Sequence, residues 1–358
     1  MSRAFVQRNN ELSSNGSRLS ERRSYSESAS KIYGALDLGT NNCRLLMARP
    51  SKDGFRVVDA FSRIVRLGEG LGVTQVLGEA AILRTIEALK ICRSKMDHRG
   101  VSRARLIATE ACRAARNSAE FISRVEVETG LSLEIIDRET EAILAASGCA
   151  ALADPTAESV VLFDIGGGST EIVWLDQESQ AKKTVRHRMR EWSSLPVGVV
   201  SLAERHGGRN VTPEIYRLMV GEVVMLLQPF VDALGDASRP LNFHLLGTSG
   251  TVTTLAGVHL GLPRYDRRAV DGIWMKSDEI SVIVDRLLHM TYQEREASAC
   301  IGTERADLVL SGCAILDAIR QVFPSDRVRV ADRGLREGIL MQMMMDDGVW
   351  PQSLAGRA

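Results

Sequence analysis

Residues 160–175 read Val-Val-Leu-Phe-Asp-Ile-Gly-Gly-Gly-Ser-Thr-Glu-Ile-Val-Trp-Leu. Strand-forming apolar residues over 160–163 run into Asp164, three glycines follow, and 171–175 reads as a second strand, so the stretch predicts a β-hairpin with a carboxylate at its mouth. Gly166, Gly167 and Gly168 carry no Cβ, so their amides can converge on an anion, and Ser169 and Thr170 add hydroxyls. Asp164 faces the same space and can hold a divalent cation directly or through water. A dinucleotide-binding turn is excluded, because that fingerprint opens a helix and here a strand follows. A hairpin with a merely flexible turn is the alternative reading.

The arrangement occurs twice. Residues 32–36 read as a strand, Asp37-Leu38-Gly39-Thr40-Asn41-Asn42 as a polar turn, and 44–48 as the returning strand. Two Asp-x-Gly hairpins predict an internally duplicated α/β protein whose halves face each other, with a metal and a phosphate chain held between the two aspartates.

A chain of 358 residues, 44% hydrophobic and 25% charged, can carry two cored domains and is ordinary for a globular protein. Lys plus Arg and Asp plus Glu are equal at 45 each, so no global field draws the chain to nucleic acid, and a polyanion must be met by local clusters. The six cysteines lack Cys-x-x-Cys spacing and read as small buried residues in a reducing compartment, without disulfides or zinc. Residues 1–31, rich in serine and arginine, read as a disordered tail. No run has the length of a signal peptide's apolar region or a membrane helix, so the expected location is the cytoplasm, away from membranes.

Residues 56–61 read as a strand, 63–74 as a glycine-bearing loop, 80–96 as a helix, 104–109 as a strand and 118–129 as a helix. The intervening segment, Thr109 to Asn117, reads as a loop that places Arg113 and Arg116 beyond a strand's carboxyl end, where phosphate ligands sit in open α/β sheets; a solvated basic turn is the alternative. A strand over 133–136 leads into an alanine-rich helix with Glu139 and Glu141 in its first turn. The helix dipole favours carboxylates there, and one facing a cleft can also take a proton from water. The basic residues 182–190 read as an extended, solvent-facing strand. A third element, Gly247-Thr248-Ser249-Gly250-Thr251, follows a short strand and opens a helix, which suits a phosphate or serves as a plain cap. A final helix reaches about residue 345.

Together, Asp37-Leu-Gly-Thr-Asn-Asn-Cys-Arg44, residues 109–117, Glu141-Ala142, Asp164-Ile-Gly-Gly-Gly-Ser-Thr-Glu171, Leu195-Pro-Val-Gly198, Gly247-Thr-Ser-Gly-Thr251 and Gly334-Leu-Arg-Glu-Gly338 resemble the exopolyphosphatase/guanosine pentaphosphate phosphohydrolase (Ppx/GppA) family. They fall in the family's order. The resemblance implies the actin/sugar kinase/Hsp70-like (ASKHA) fold: two ribonuclease-H-like α/β domains with the active site in the cleft. On that basis domain I spans 32–138 and is joined by the C-terminal helix at about 335–348, and domain II spans 139–334. No C-terminal domain of the HD phosphohydrolase type is expected.

The resemblance further implies that Asp37 and Asp164 hold Mg²⁺ or Mn²⁺. Thr40, Asn41, Gly166, Gly167, Gly168 and Ser169 would bind phosphate, with Gly247, Thr248 and Ser249 as a further phosphate element. Arg113 would contact the phosphate chain and Glu141 would be the general base, with Glu139 a substitute because Thr140 stands where many members have a second glutamate. The implied activity is release of terminal orthophosphate from inorganic polyphosphate or from guanosine pentaphosphate. A phosphotransferase of the same fold and a weakly catalytic sensor of the guanosine alarmone or ATP are the alternatives. A homodimer is one assembly the sequence leaves open.

Overall fold

The computed structural model describes residues 31–52, 54–177, 184–235 and 242–349. The expected N-terminal tail up to residue 30 and Lys182–Lys183 lie outside them. Two mixed sheets organise the chain, and both hairpins sit where the sequence puts them. In the first, β1 (Tyr33–Leu38) pairs antiparallel with β2 (Asn42–Ser51), which pairs antiparallel with β3 (Gly54–Ile64). On its other side β1 runs parallel to β4 (Arg103–Ala108), and β4 to the two-residue β5 (Glu134–Ile135).

In the second sheet β6 (Ser159–Ile165) pairs antiparallel with β7 (Thr170–Asp176), and β7 with β8 (Met189–Leu195). On its other side β6 runs parallel to β9 (Phe243–Thr248), then β9 to β11 (Arg327–Ala331), and β10 (Trp274–Lys276) closes the edge antiparallel. The orders β3-β2-β1-β4-β5 and β8-β7-β6-β9-β11 share one pattern of directions. The duplication read from two hairpins therefore extends to five strands of each sheet, and β10 is an addition to the second.

Every side chain of β6 except Asp164 is buried, as a central strand of β-branched and aromatic residues covered on both faces requires. One face of the second sheet meets the helices Pro213–Leu234, Ser249–His259, Ser277–His289 and Val309–Val322, with Phe163, Trp174, Leu245 and Ile315 in that core. The first sheet packs the helices Glu79–Arg99 and Ser118–Thr129 on one face and the helix Leu335–Asp346 on the other, where Ile339, Leu340 and Met344 meet Tyr33, Ala35, Leu46 and Ile107.

The helix Arg138–Cys149 serves both sheets. Leu144 belongs to the core of the first, whereas Ala142, Ala146 and Cys149 pack with Leu162, Val173 and Leu246 of the second. It crosses the helix Leu335–Asp346 at glycines: a Cβ on Gly338 would stand 1.9 Å from the Leu144 carbonyl oxygen, and one on Gly148 would stand 2.0 Å from that of Gly334. Both are overlaps with backbone that no rotamer relieves.

Residues 65–78 leave β3 and cross to the second half. Arg66 holds a left-handed φ of 49°, uncommon for a non-glycine residue, and its Nη1 lies 2.9 Å from Asp307 Oδ2. The Gly70 amide donates to Glu204 Oε1 at 2.9 Å.

Two local expectations are corrected. The segment 109–117 contains a short helix, Glu110–Ala114, where the sequence reads as loop. Residues 185–188 form a helical turn rather than a solvent-facing strand, and Arg188 is buried. Pairing with β7 begins only at Met189 opposite Leu175, so the preceding residues have no partner strand and Val185 tucks into the core beside the helix Arg138–Cys149. Among the described residues no helix is long and apolar enough to cross a membrane, and all six cysteines are buried.

Candidate active site

Both hairpin mouths open on one cavity of about 400 Å³. Asp37 lies at the end of β1 and Asp164 at the end of β6, and both line it. The turns that follow touch each other. A Cβ on Gly167 would stand 2.9 Å from Thr40 Cβ, and one on Gly168 would stand 2.8 Å from Thr40 Oγ1, so only glycine allows this approach. The glycine turn is held from behind by the helix Val199–His206, whose first amides donate to the carbonyls of Gly166 at 2.9 Å and Gly167 at 2.8 Å. The Gly166 amide closes the hairpin by donating to Ser169 O at 3.0 Å, and with the two carbonyls engaged by the helix, the amides of Gly167, Gly168 and Ser169 are the ones the turn can offer to an anion.

Glu141 is positioned by the start of its helix, where Asp137 caps the chain by accepting from the Thr140 amide at 2.7 Å. The residue is 9% exposed and lines the cavity. Burial, then the negative charge of Glu171, pushes it up to about 8, against the pull of Arg113. Asp164 is raised to about 7 by burial and by Glu141 and Asp37. Glu171 is raised to about 7 by burial and Asp164, although Ser169 and Ser194 donate to its Oε1 at 2.8 and 2.9 Å. Asp37 is also raised, chiefly by burial.

Such an excess of mutually repelling carboxylates fits a cation. Among the described residues no three His, Cys, Asp or Glu side chains converge as a complete metal cage. Two aspartates with water and phosphate oxygens are the donor set Mg²⁺ takes, since it keeps several waters and one or two carboxylates. The Oδ1 atoms of Asn41 and Asn42 are buried without a hydrogen-bond partner beside them, as expected where a bound group completes a site.

The structure brings Asp37, Thr40, Asn41, Glu141, Asp164, Gly166, Gly167, Gly168, Ser169, Thr248 and Ser249 to the cavity. Several of their hydroxyls are already engaged: Ser169 donates to Glu171, Thr248 to Arg333 O at 2.5 Å and Ser249 to Ile165 O at 2.5 Å. Ser249 sits at φ 81°, opening the helix Ser249–His259 toward the cavity. Gly247 does not line it. A Cβ there would stand 2.5 Å from the Phe163 ring, so this glycine answers a packing need. Arg113 does not line it either. Its Nη1 lies 2.7 Å from Glu141 Oε2 and donates to Ile136 O, while Nε and Nη2 donate to Glu110. Glu139 is exposed and paired with Arg186 at 3.0 Å, away from the cavity.

Sequence reasoning missed four residues. Arg44 stands opposite Asp37 across the first hairpin, and Glu171 opposite Asp164 across the second, at the same offset from each aspartate. That repeated offset was the available signal. Arg44 and Arg336 both line the cavity, and neither guanidinium has a hydrogen-bond or ion-pair partner among the described residues, which leaves two cations to meet an anion. The fourth, Glu110, lines it beside Gly168.

A family model described as the Ppx/GppA phosphatase family matches residues 46–347. Exopolyphosphatase 2 of Mycobacterium tuberculosis is 28% identical over 326 residues, covering 86% of this chain and 97% of that protein. A bifunctional 3-dehydroquinate synthase/phosphatase of Fusobacterium nucleatum is 28% identical over 87% of this chain, which spans only 46% of that longer protein. Among solved structures, the Aquifex aeolicus family member superposes with a TM-score of 0.72 at 28% identity, covering 88% of this chain and 98% of that one. An exopolyphosphatase-like protein superposes at 0.79 with 26% identity, covering 88% and 99%. With the two duplicated sheets, the facing hairpin turns and a match over most of its length, the chain has the ASKHA-type fold and belongs to the Ppx/GppA phosphatase family.

Proposed function

We propose that the protein is a hydrolase that removes the terminal orthophosphate of an inorganic polyphosphate, of guanosine pentaphosphate, or of both. The observation that carries this reading is Glu141: a buried carboxyl at the wall of the cavity between the two hairpin turns, whose proton affinity burial and Glu171 raise above the ordinary carboxylate range, so that in its ionised form it is a stronger base than a solvated glutamate. Glu141 removes a proton from water as the water oxygen attacks the terminal phosphorus in line. A new P–O bond forms, the bridging P–O bond breaks, and its electron pair leaves with the shortened chain. The amides of Gly167, Gly168 and Ser169 and the guanidinium groups of Arg44 and Arg336 carry the negative charge on the phosphoryl oxygens. Asp37 and Asp164 would hold Mg²⁺, which when bound neutralises charge on those oxygens. Glu141 returns its proton to solvent or to the departing phosphate.

The test is orthophosphate release by the full chain with Mg²⁺ over a panel of long-chain polyphosphate, guanosine pentaphosphate and ATP, without an added acceptor alcohol. We expect steady release from at least one of the first two. Release appearing only when an acceptor is supplied would make the protein a phosphotransferase, and tight nucleotide binding without turnover would make it a sensor.

A further inference from the structure

Glu110 is an odd residue for a cavity that takes a polyanion. Its side chain is 14% exposed and stands against Gly168, where a Cβ would be 3.2 Å from Glu110 Cγ. A carboxylate there repels phosphate unless its charge is engaged elsewhere, and here it is. Oε2 accepts from Arg113 Nη2 at 2.9 Å and Nε at 3.2 Å, and Oε1 accepts from Arg138 Nη2 at 3.0 Å. Arg113 is thus held by its fork on Glu110, one turn away on the same short helix, and by Ile136 O through Nη1. In that orientation Nη1 is the nitrogen that approaches Glu141, at 2.7 Å.

A guanidinium prefers a carboxylate two-pronged, through parallel N–H bonds. Were Arg113 free to turn, it would take Glu141 in that way. The carboxylate would then be stabilised as an ion and would lose its affinity for the proton of water. Glu110, by holding the Nε–Nη2 edge, keeps the guanidinium from swinging that edge onto Glu141.

We propose that Glu110 is a positioning residue: it restrains Arg113 to a single-pronged contact with Glu141 and so keeps Glu141 available to accept the proton from the attacking water. This rests on the reading of Glu141 as the base. Glu110 touches neither water nor phosphorus in the reaction, and its effect passes wholly through Arg113.

The experiment is a double-mutant cycle on the full chain, with kcat and KM measured separately at saturating Mg²⁺ on whichever substrate releases phosphate. Glu110→Gln keeps shape and removes charge, so Arg113 turns to Glu141. On the alkaline plateau of the pH profile, where Glu141 is ionised, we expect kcat to fall severalfold, up to about tenfold for one unit of proton affinity, with the acid limb of the profile moved to lower pH and KM within about twofold. In an Arg113→Met background the same change should alter kcat by less than about twofold, because nothing is left to restrain. Glu110→Asp, which keeps the charge, should recover part of the rate. An unchanged kcat in Glu110→Gln overturns the proposal, as does an equal loss with and without Arg113. A Glu110 that only braced the fold would lower the melting temperature and cost the same in both backgrounds. Glu141→Gln, run alongside, separates the two ideas: if it stays active the base is wrong, and if it is inactive the cycle judges Glu110 alone.

Discussion

The decisive residue is Glu141, and the structure sharpens its test by moving Glu139 away. As a partner of the helix dipole alone, Glu141 would contribute roughly 0.3–1 kcal/mol to stability and nothing to rate. As the base, its loss should reduce kcat by about 10² to 10⁴. Glu141→Gln should therefore collapse steady-state phosphate release while substrate binding by calorimetry stays near normal. Glu139→Gln, at an exposed carboxylate paired with Arg186, should remain within about twofold; a larger loss there than at Glu141 would reverse the assignment. Much of the cavity lining was legible because turns and helix starts are local: both Asp-x-Gly hairpins and the acidic helix start that carries Glu141 read directly from short patterns. What stayed hidden depends on which way a side chain is carried. Register alone sets Arg44 opposite Asp37 and Glu171 opposite Asp164. Arg113 is drawn off the cavity wall by Glu110 and Glu141, a preference of ion pairs that spacing does not reveal.

Among the elements, the strands were the most legible, since alternation and apolar runs over 32–48 and 160–175 report burial directly. The short helices Glu110–Ala114 and Val185–Arg188 were not, because each is fixed by what it packs on rather than by a periodic face. Nor was the crossing of the helices Arg138–Cys149 and Leu335–Asp346, which appears only once Gly338 is seen against Leu144. Two glycines make a matched pair for testing that contact. Gly338→Ala sets a methyl group 1.9 Å from a backbone oxygen, so the helices must separate, and urea unfolding should show a loss of about 1–3 kcal/mol or more. Gly221, inside the helix Pro213–Leu234, has open space where its Cβ would go. Gly221→Ala should stabilise by about 0.5–1 kcal/mol through helix propensity. Equal effects at the two positions would mean that the crossing is not as tight as described.

At the scale of the molecule, the halves are linked outside the helix crossing by the strap 65–78. Arg66 holds a left-handed backbone and a half-buried ion pair with Asp307, and Glu204 accepts from Gly70. A strained non-glycine residue persists only where its surroundings hold it. Arg66→Ala removes the ion pair and keeps the strain, so limited proteolysis within 65–77 should quicken severalfold, whereas Arg66→Gly, which relieves the strain, should quicken less. Identical digestion of all three proteins would show that the strap is held by other contacts. The duplicated architecture was visible in outline from two hairpins. The strap was not, since its partners lie far along the chain. The helix Leu335–Asp346 carries a consequence for biosynthesis. It covers the face of the first sheet formed by Tyr33, Ala35, Leu46, Ala48 and Ile107, yet it is translated long after those strands. At roughly 5–20 residues per second, that apolar face stays bare on the ribosome for on the order of tens of seconds. A nascent chain that stops short of Leu335 therefore presents an apolar sheet face that the helix Leu335–Asp346 would otherwise cover.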